Sequence, residues 1–180
     1  MSTLAGHTIL GTFKIRCPLV TFFWQKRRTF FPKRFFLILY TSLITPHLDY
    51  GILSWGGVGI TKLKGLIEAQ KKAVRNVCGR SLNAHTDELF KMLNTLKFKD
   101  LFQLNSGIFM YRYGNNGLPM SFSNMFSPCN VPNRTNSYKT IKSRISFLDQ
   151  FPLAYLPRIW NNLSVSLKNS DSLNIFKNNY

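Results

Sequence analysis

Few residues in this chain have types and spacing suited to chemistry. Of the seven acids, only Asp87 and Glu88 are adjacent, and no Asp-Asp pair occurs. Two-metal phosphoryl transfer needs carboxylates converging on ions about 3.5–4 Å apart. Asp87-Glu88 falls where a helix should begin, and acids there compensate the helix dipole. Cys17, Cys78 and Cys129 are odd in number and far apart, which predicts free thiols in a reducing compartment rather than disulfides. No Cys-x-x-Cys occurs, and His7, His47 and His85 lack zinc-ligand spacing relative to the cysteines, so no structural zinc is expected. A phosphate-cradling Gly-rich loop and a Gly-x-Ser-x-Gly elbow are both missing, and Gly56-Gly57-x-Gly59 has the composition of a turn. The expectation is a chain with no catalytic residue, no metal ligand, no cofactor and no small-molecule substrate.

Positive charge is what remains. Lys and Arg number 24 against 7 Asp and Glu, a formal +17. Release of counterions drives nonspecific nucleic-acid binding, so a polyanion is the leading partner, with an anionic membrane surface as another polyanionic possibility. The best-placed cations are Lys62, Lys64, Lys71, Lys72, Arg75 and Arg80, in and after an amphipathic stretch. They are the expected contacts to phosphates, positioning a strand without reading its bases. A merely solvated helix face is the competing reading.

These cations must be positioned by helices. From Thr61 to Arg80 the apolar positions Leu63, Leu66, Ile67, Ala73, Val74, Val77 and Cys78 recur at helical spacing, interrupted by Gln70. Glu68 stands four residues before Lys72, the favourable order for an ion pair, and Gly79 is a C-cap. Before it, Lys33–Ile44 is apolar nearly all round and predicts a central helix. Pro46 should break that helix at Thr45 and start a second one reaching Trp55. Thr86 is placed to cap a helix running to Leu96, and another should run from Asp100 to just before Gly114.

Residues 1–31 show no sustained period and predict an irregular basic segment, its Lys26-Arg27-Arg28 cluster suited to localisation or phosphate contact. Beyond residue 116, five of the eight prolines and many Ser and Asn predict an extended, poorly packed region. It should be followed by a short helix over Arg158–Leu167 and a last turn holding Leu173, Ile175 and Phe176. The expected organisation is therefore 1–31 irregular, 32–116 helical and 117–180 loop-rich. The fold class is mainly α, a small helical bundle followed by a Pro/Asn/Ser-rich region with short terminal helices. The longest apolar run, Phe35 to Thr45, is about half the ~20 residues a bilayer span needs, and no signal peptide is evident. An intracellular protein, cytoplasmic or nuclear and without a membrane partner, is expected.

Motif order adds a resemblance. Pro46-His47-Leu48-x-Tyr50-Gly51 and Trp55-Gly56 are followed by Gln70-Lys71-Lys72-Ala73-x-Arg75 and then by His85-Thr86-x-x-Leu89-Phe90. Leu96-Lys97-x-x-Asp100, Phe109, Tyr111 and Leu118-Pro119 come next, and later Pro157-Arg158-Ile159-Trp160-Asn161-x-Leu163 and Phe176-Lys177. Over residues 30–180 this series resembles the C-terminal part of reverse transcriptases from non-LTR (LINE-type, jockey-like) retrotransposons. The resemblance implies a polymerase thumb and the region downstream of it. It also implies structural roles for Pro46, Tyr50, Trp55, Gln70, His85, Tyr138, Trp160 and Asn161, and sequence-nonspecific contact with an RNA–DNA or DNA duplex. The parent enzyme would need Mg and a Tyr-x-Asp-Asp turn, which this chain lacks, so it is not expected to polymerise on its own. Asn136 and Ile141 stand where the family has His and Arg, and Leu156 where it has Gly. An inert remnant of a degraded element, or a retained helical module that binds a protein, are the alternatives.

Overall fold

A computed structural model describes residues 32–129, 136–141 and 147–180, with only the main chain of Lys33 and Ile60. The basic segment expected over residues 1–31 lies outside these. The chain divides into two compact units, Met1–Leu101 and Phe102–Tyr180. The described residues are mainly helical and form no strand, as expected for a small helical bundle.

In the first unit, α1 (Lys33–Leu39) continues through a π-helical turn, Tyr40–Ile44, into α2 (Thr45–Asp49). The expected break at Thr45 does not occur, because Thr45 is helical at φ −56°, ψ −45°. Its N–H reaches back five residues to the Tyr40 carbonyl. That widened turn gives the Pro46 ring room that an α-turn would deny it. The chain reverses instead at Tyr50 and Gly51, where Gly51 takes φ +62°, a left-handed conformation that costs glycine little. Short α3 (Ile52–Trp55) leads to α4 (Ile60–Cys78).

Helix α4 buries Leu63, Leu66, Gln70, Ala73, Val74 and Val77 along one stripe. It ends in a Schellman turn: Gly79 is left-handed at φ +69°, its N–H bonds the Asn76 carbonyl at 3.2 Å, and the Arg80 N–H bonds that of Arg75 at 2.9 Å. Helix α5 (Asp87–Met92) stops short of Leu96, since Asn94 turns to φ +48°. Thr86 sits at its N-cap but makes no capping bond.

Gln70, the polar residue that interrupts the α4 stripe, ties this unit together. Its Nε2 donates to the Leu96 carbonyl at 3.0 Å and to Tyr40 Oη at 3.1 Å, and its Oε1 accepts the Phe98 N–H at 2.9 Å. That last bond caps α6 (Phe98–Gly114), which therefore starts two residues before Asp100. A buried amide with all three bonds made is neutral to the core, and an unpaired one would cost about 1–3 kcal/mol.

The second unit contains α6 from Phe102 onward, α7 (Pro152–Asn161), α8 (Val165–Lys168) and α9 (Leu173–Asn179), with 3-10 turns at Met120–Phe122 and Leu148–Gln150. The helix expected over Arg158–Leu167 begins at Pro152 and carries Pro157 inside it. A proline there removes one ladder bond, at about 3 kcal/mol. Burial of Ala154, Tyr155, Leu156, Pro157 and Trp160 offsets that loss, at roughly 2 kcal/mol per large apolar side chain.

Phe176, fully buried, centres this core against Tyr111 at 5.0 Å and Trp160 at 6.2 Å. Gly107 makes the close approach possible, since a Cβ there would lie 3.1 Å from the Phe176 ring and 3.2 Å from that of Tyr180. In the Pro/Asn/Ser-rich region ahead of α7 most described residues are exposed, with Phe126 and Ser137 the buried ones among them.

Candidate nucleic-acid interface

The side of α4 opposite its buried stripe carries Lys64, Glu68, Lys71, Lys72 and Arg75. The structure sorts the six candidate cations into two kinds. Lys62, Lys64, Lys72 and Arg80 are exposed and have no acidic partner among the described residues. Lys71 is half-buried and bonds Glu68 at 3.2 Å, so Glu68 pairs three residues on rather than with Lys72, as its spacing had suggested. Arg75 is half-buried too, its Nε donating to the Ala84 carbonyl at 2.8 Å. That bond fixes the loop after α4 and occupies part of the guanidinium. Glu68 would repel a phosphate approaching this face, and the Lys71 ammonium beside it offsets that charge.

Beyond α4, Asp87 and Lys97 form an exposed ion pair at 3.0 Å. The Lys97 hydrogen bond and charge hold the Asp87 carboxyl below its usual range, helped by His85 and Lys71. Asp87 thus faces cations rather than a second carboxylate, and no group of three metal-ligating side chains occurs among the described residues. The pair borders an open cleft of about 350 Å³ whose other walls include Phe90, Lys91, Thr95 and Asp100. Its acids and lysines balance, and that balance gives a phosphate no net attraction.

The motif residues fall into two sets. In the first unit Trp55 is buried and stacks on Phe98 at 5.4 Å, so it meets Gln70 through the residue that Gln70 caps. Pro46, Tyr50 and His85 are exposed, and the Tyr50 main chain meets that knot through the Trp55 indole while its ring does not. In the second unit Tyr138, Trp160 and Asn161 converge. The Trp160 indole donates to the Asn136 carbonyl at 2.8 Å, and the Asn161 amide pairs with both main-chain groups of Tyr138, at 3.0 and 2.8 Å. Tyr138 also forms an antiparallel bridge with Pro128. The flanking bonds there run between Cys129 and Ser137 and between Lys139 and Ser127. That register needs no N–H from residue 128, so proline fits, and it leaves the Tyr138 main chain for Asn161.

Tyr113 is a structural anchor that the sequence did not single out. Its hydroxyl accepts the Phe126 N–H at 3.0 Å and lies within donating distance of the Ser123 and Phe126 carbonyls. Its ring packs on Phe126 and Tyr138. Burial, with Tyr113 adding to it, raises the Tyr138 pKa. Only the aromatic type of Tyr113 was visible in the chain, and nothing local marks which loop a tyrosine will pin.

Together the fold and this surface define a basic, mainly helical protein with a cationic helix face. No helix among the described residues is long and apolar enough to cross a membrane. Comparison with family models, with curated proteins and with solved structures finds no match.

Proposed function

We propose that this chain is a piece of a non-LTR retrotransposon reverse transcriptase, spanning its thumb and the region downstream, that grips nucleic acid without sequence preference. Its part is to hold the strand through phosphates. The polymerase chemistry, with its Mg ions, belongs to carboxylates absent from this sequence. The observation that carries this reading is the pair Lys64 and Lys72, exposed and without an acidic partner among the described residues, on the face opposite the core. Eight residues of helix separate them by about 12 Å along the axis, so they would meet different phosphates.

Salt-dependent binding to an RNA–DNA hybrid tests it. Wild-type affinity should fall steeply with salt. Lys64→Ala with Lys72→Ala should make the log–log slope shallower by about 2, since each phosphate contact contributes close to one. Lys71→Ala with Arg75→Ala should change it less, because those side chains already serve Glu68 and Ala84. Binding that ignores salt, or equal slopes in both double variants, overturns the proposal.

A further inference from the structure

We propose that Tyr50 is a base-stacking residue, which makes nucleic acid with unpaired bases the preferred substrate class. This rests on the phosphate-grip reading above. Trp55 has the larger ring, but that ring is committed to Phe98 and its N–H to the Tyr50 carbonyl, at 2.9 Å. Tyr50 is the reverse case. Its side chain is 73% exposed and makes no hydrogen bond or ring contact with a described residue.

The main chain of Tyr50 is nevertheless pinned on both sides. Its N–H bonds the Pro46 carbonyl at 2.9 Å, and its own carbonyl takes the Trp55 indole. Left-handed Gly51 follows, and the Gly51 carbonyl accepts the Ser54 N–H at 2.8 Å. A ring displayed from so fixed a backbone loses little entropy when it stacks. The surroundings favour a base over a protein partner. The residues flanking it in the chain, Asp49 and Gly51, are exposed and Leu48 and Ile52 are buried, so its immediate chain neighbours extend the ring into no apolar patch. Charge points the same way, because residues 32–101 hold 11 Lys and Arg against 5 Asp and Glu.

The test measures binding of the whole chain to an oligo-dA strand of about 20 nucleotides and to a blunt RNA–DNA hybrid, across salt. Tyr50→Ala should weaken single-strand binding about tenfold with the salt slope unchanged, since stacking involves no counterion. Tyr50→Phe should keep wild-type affinity, and the blunt hybrid should bind all three proteins alike. Circular dichroism checks that the variants stay folded. If Tyr50→Ala binds the single strand like wild type, or if Tyr50→Phe or hybrid binding also loses affinity, stacking is overturned while the phosphate grip stands. If wild type shows no salt-dependent binding to either probe, the grip fails and this inference fails with it.

Discussion

The two compact units solve the same problem by different means. In the first, helices satisfy most of their own backbones, and side chains close gaps in a few places, Gln70 at Leu96 and Phe98, Trp55 at Tyr50 and Arg75 at Ala84. In the second, loops leave main-chain groups open, and side chains fill them one at a time. Trp160 takes Asn136, Asn161 takes Tyr138, Tyr111 donates to Ser170 at 2.7 Å, and Tyr113 serves the 123–126 turn. Each buried main-chain group needs a partner, so the less helix a region has, the more its polar side chains must supply. Aromatic residues do this well because the ring fills the core while its polar tip reaches the loop. The cationic face belongs to the first kind of region, where the outer side of a helix is not needed for stability.

Phe176→Ala gives the largest test of this contrast. Removing that fully buried ring should destabilise the second unit by about 4 kcal/mol. In segment-resolved hydrogen exchange, protection should collapse over residues 105–114 and 152–161 and persist over 63–78. Equal loss in both units would mean that they are stabilised as one body, and the contrast would fail.

Gln70→Leu should act on the other side. It keeps the apolar stripe but orphans the Phe98 N–H, the Leu96 carbonyl and a bond to Tyr40, at a cost of roughly 3 kcal/mol. Exchange should quicken first around residues 96–101. A neutral or stabilising outcome would show that the amide is dispensable in a helical core.

The smallest effect concerns pH. Burial raises the Tyr155 pKa, so the folded state favours the neutral phenol. The resulting stability is present below the unfolded value of about 10 and is lost as pH rises beyond it. Denaturation midpoints should therefore drop as pH rises above about 10. Tyr155→Phe should flatten that fall, and an unchanged slope would mean that Tyr155 is not what titrates.

Much of the first unit was legible. The α4 stripe, its Gly79 stop and the acids opening α5 each follow from spacing and residue type within a few positions. The misplacements have physical causes. Pro46 did not break its helix because a π-turn absorbed the ring, and the Pro157 helix began earlier because packing outweighed one missing bond. Both compensations lie beside the proline in the chain, but residue type alone marks neither a π-turn nor which side chains will be buried.

By itself the sequence determined a mainly helical fold, the burial of one α4 face and the excess of positive charge, because these depend on periodicity and residue type alone. Tertiary structure decided which cations stay unpaired and which aromatic ring stays in solvent. Lys71 is spent on Glu68 and Arg75 on Ala84, while Trp55 is buried and Tyr50 is displayed. A side chain's availability is set by partners distant in sequence or by the exact turn of the backbone, and periodicity carries no record of either.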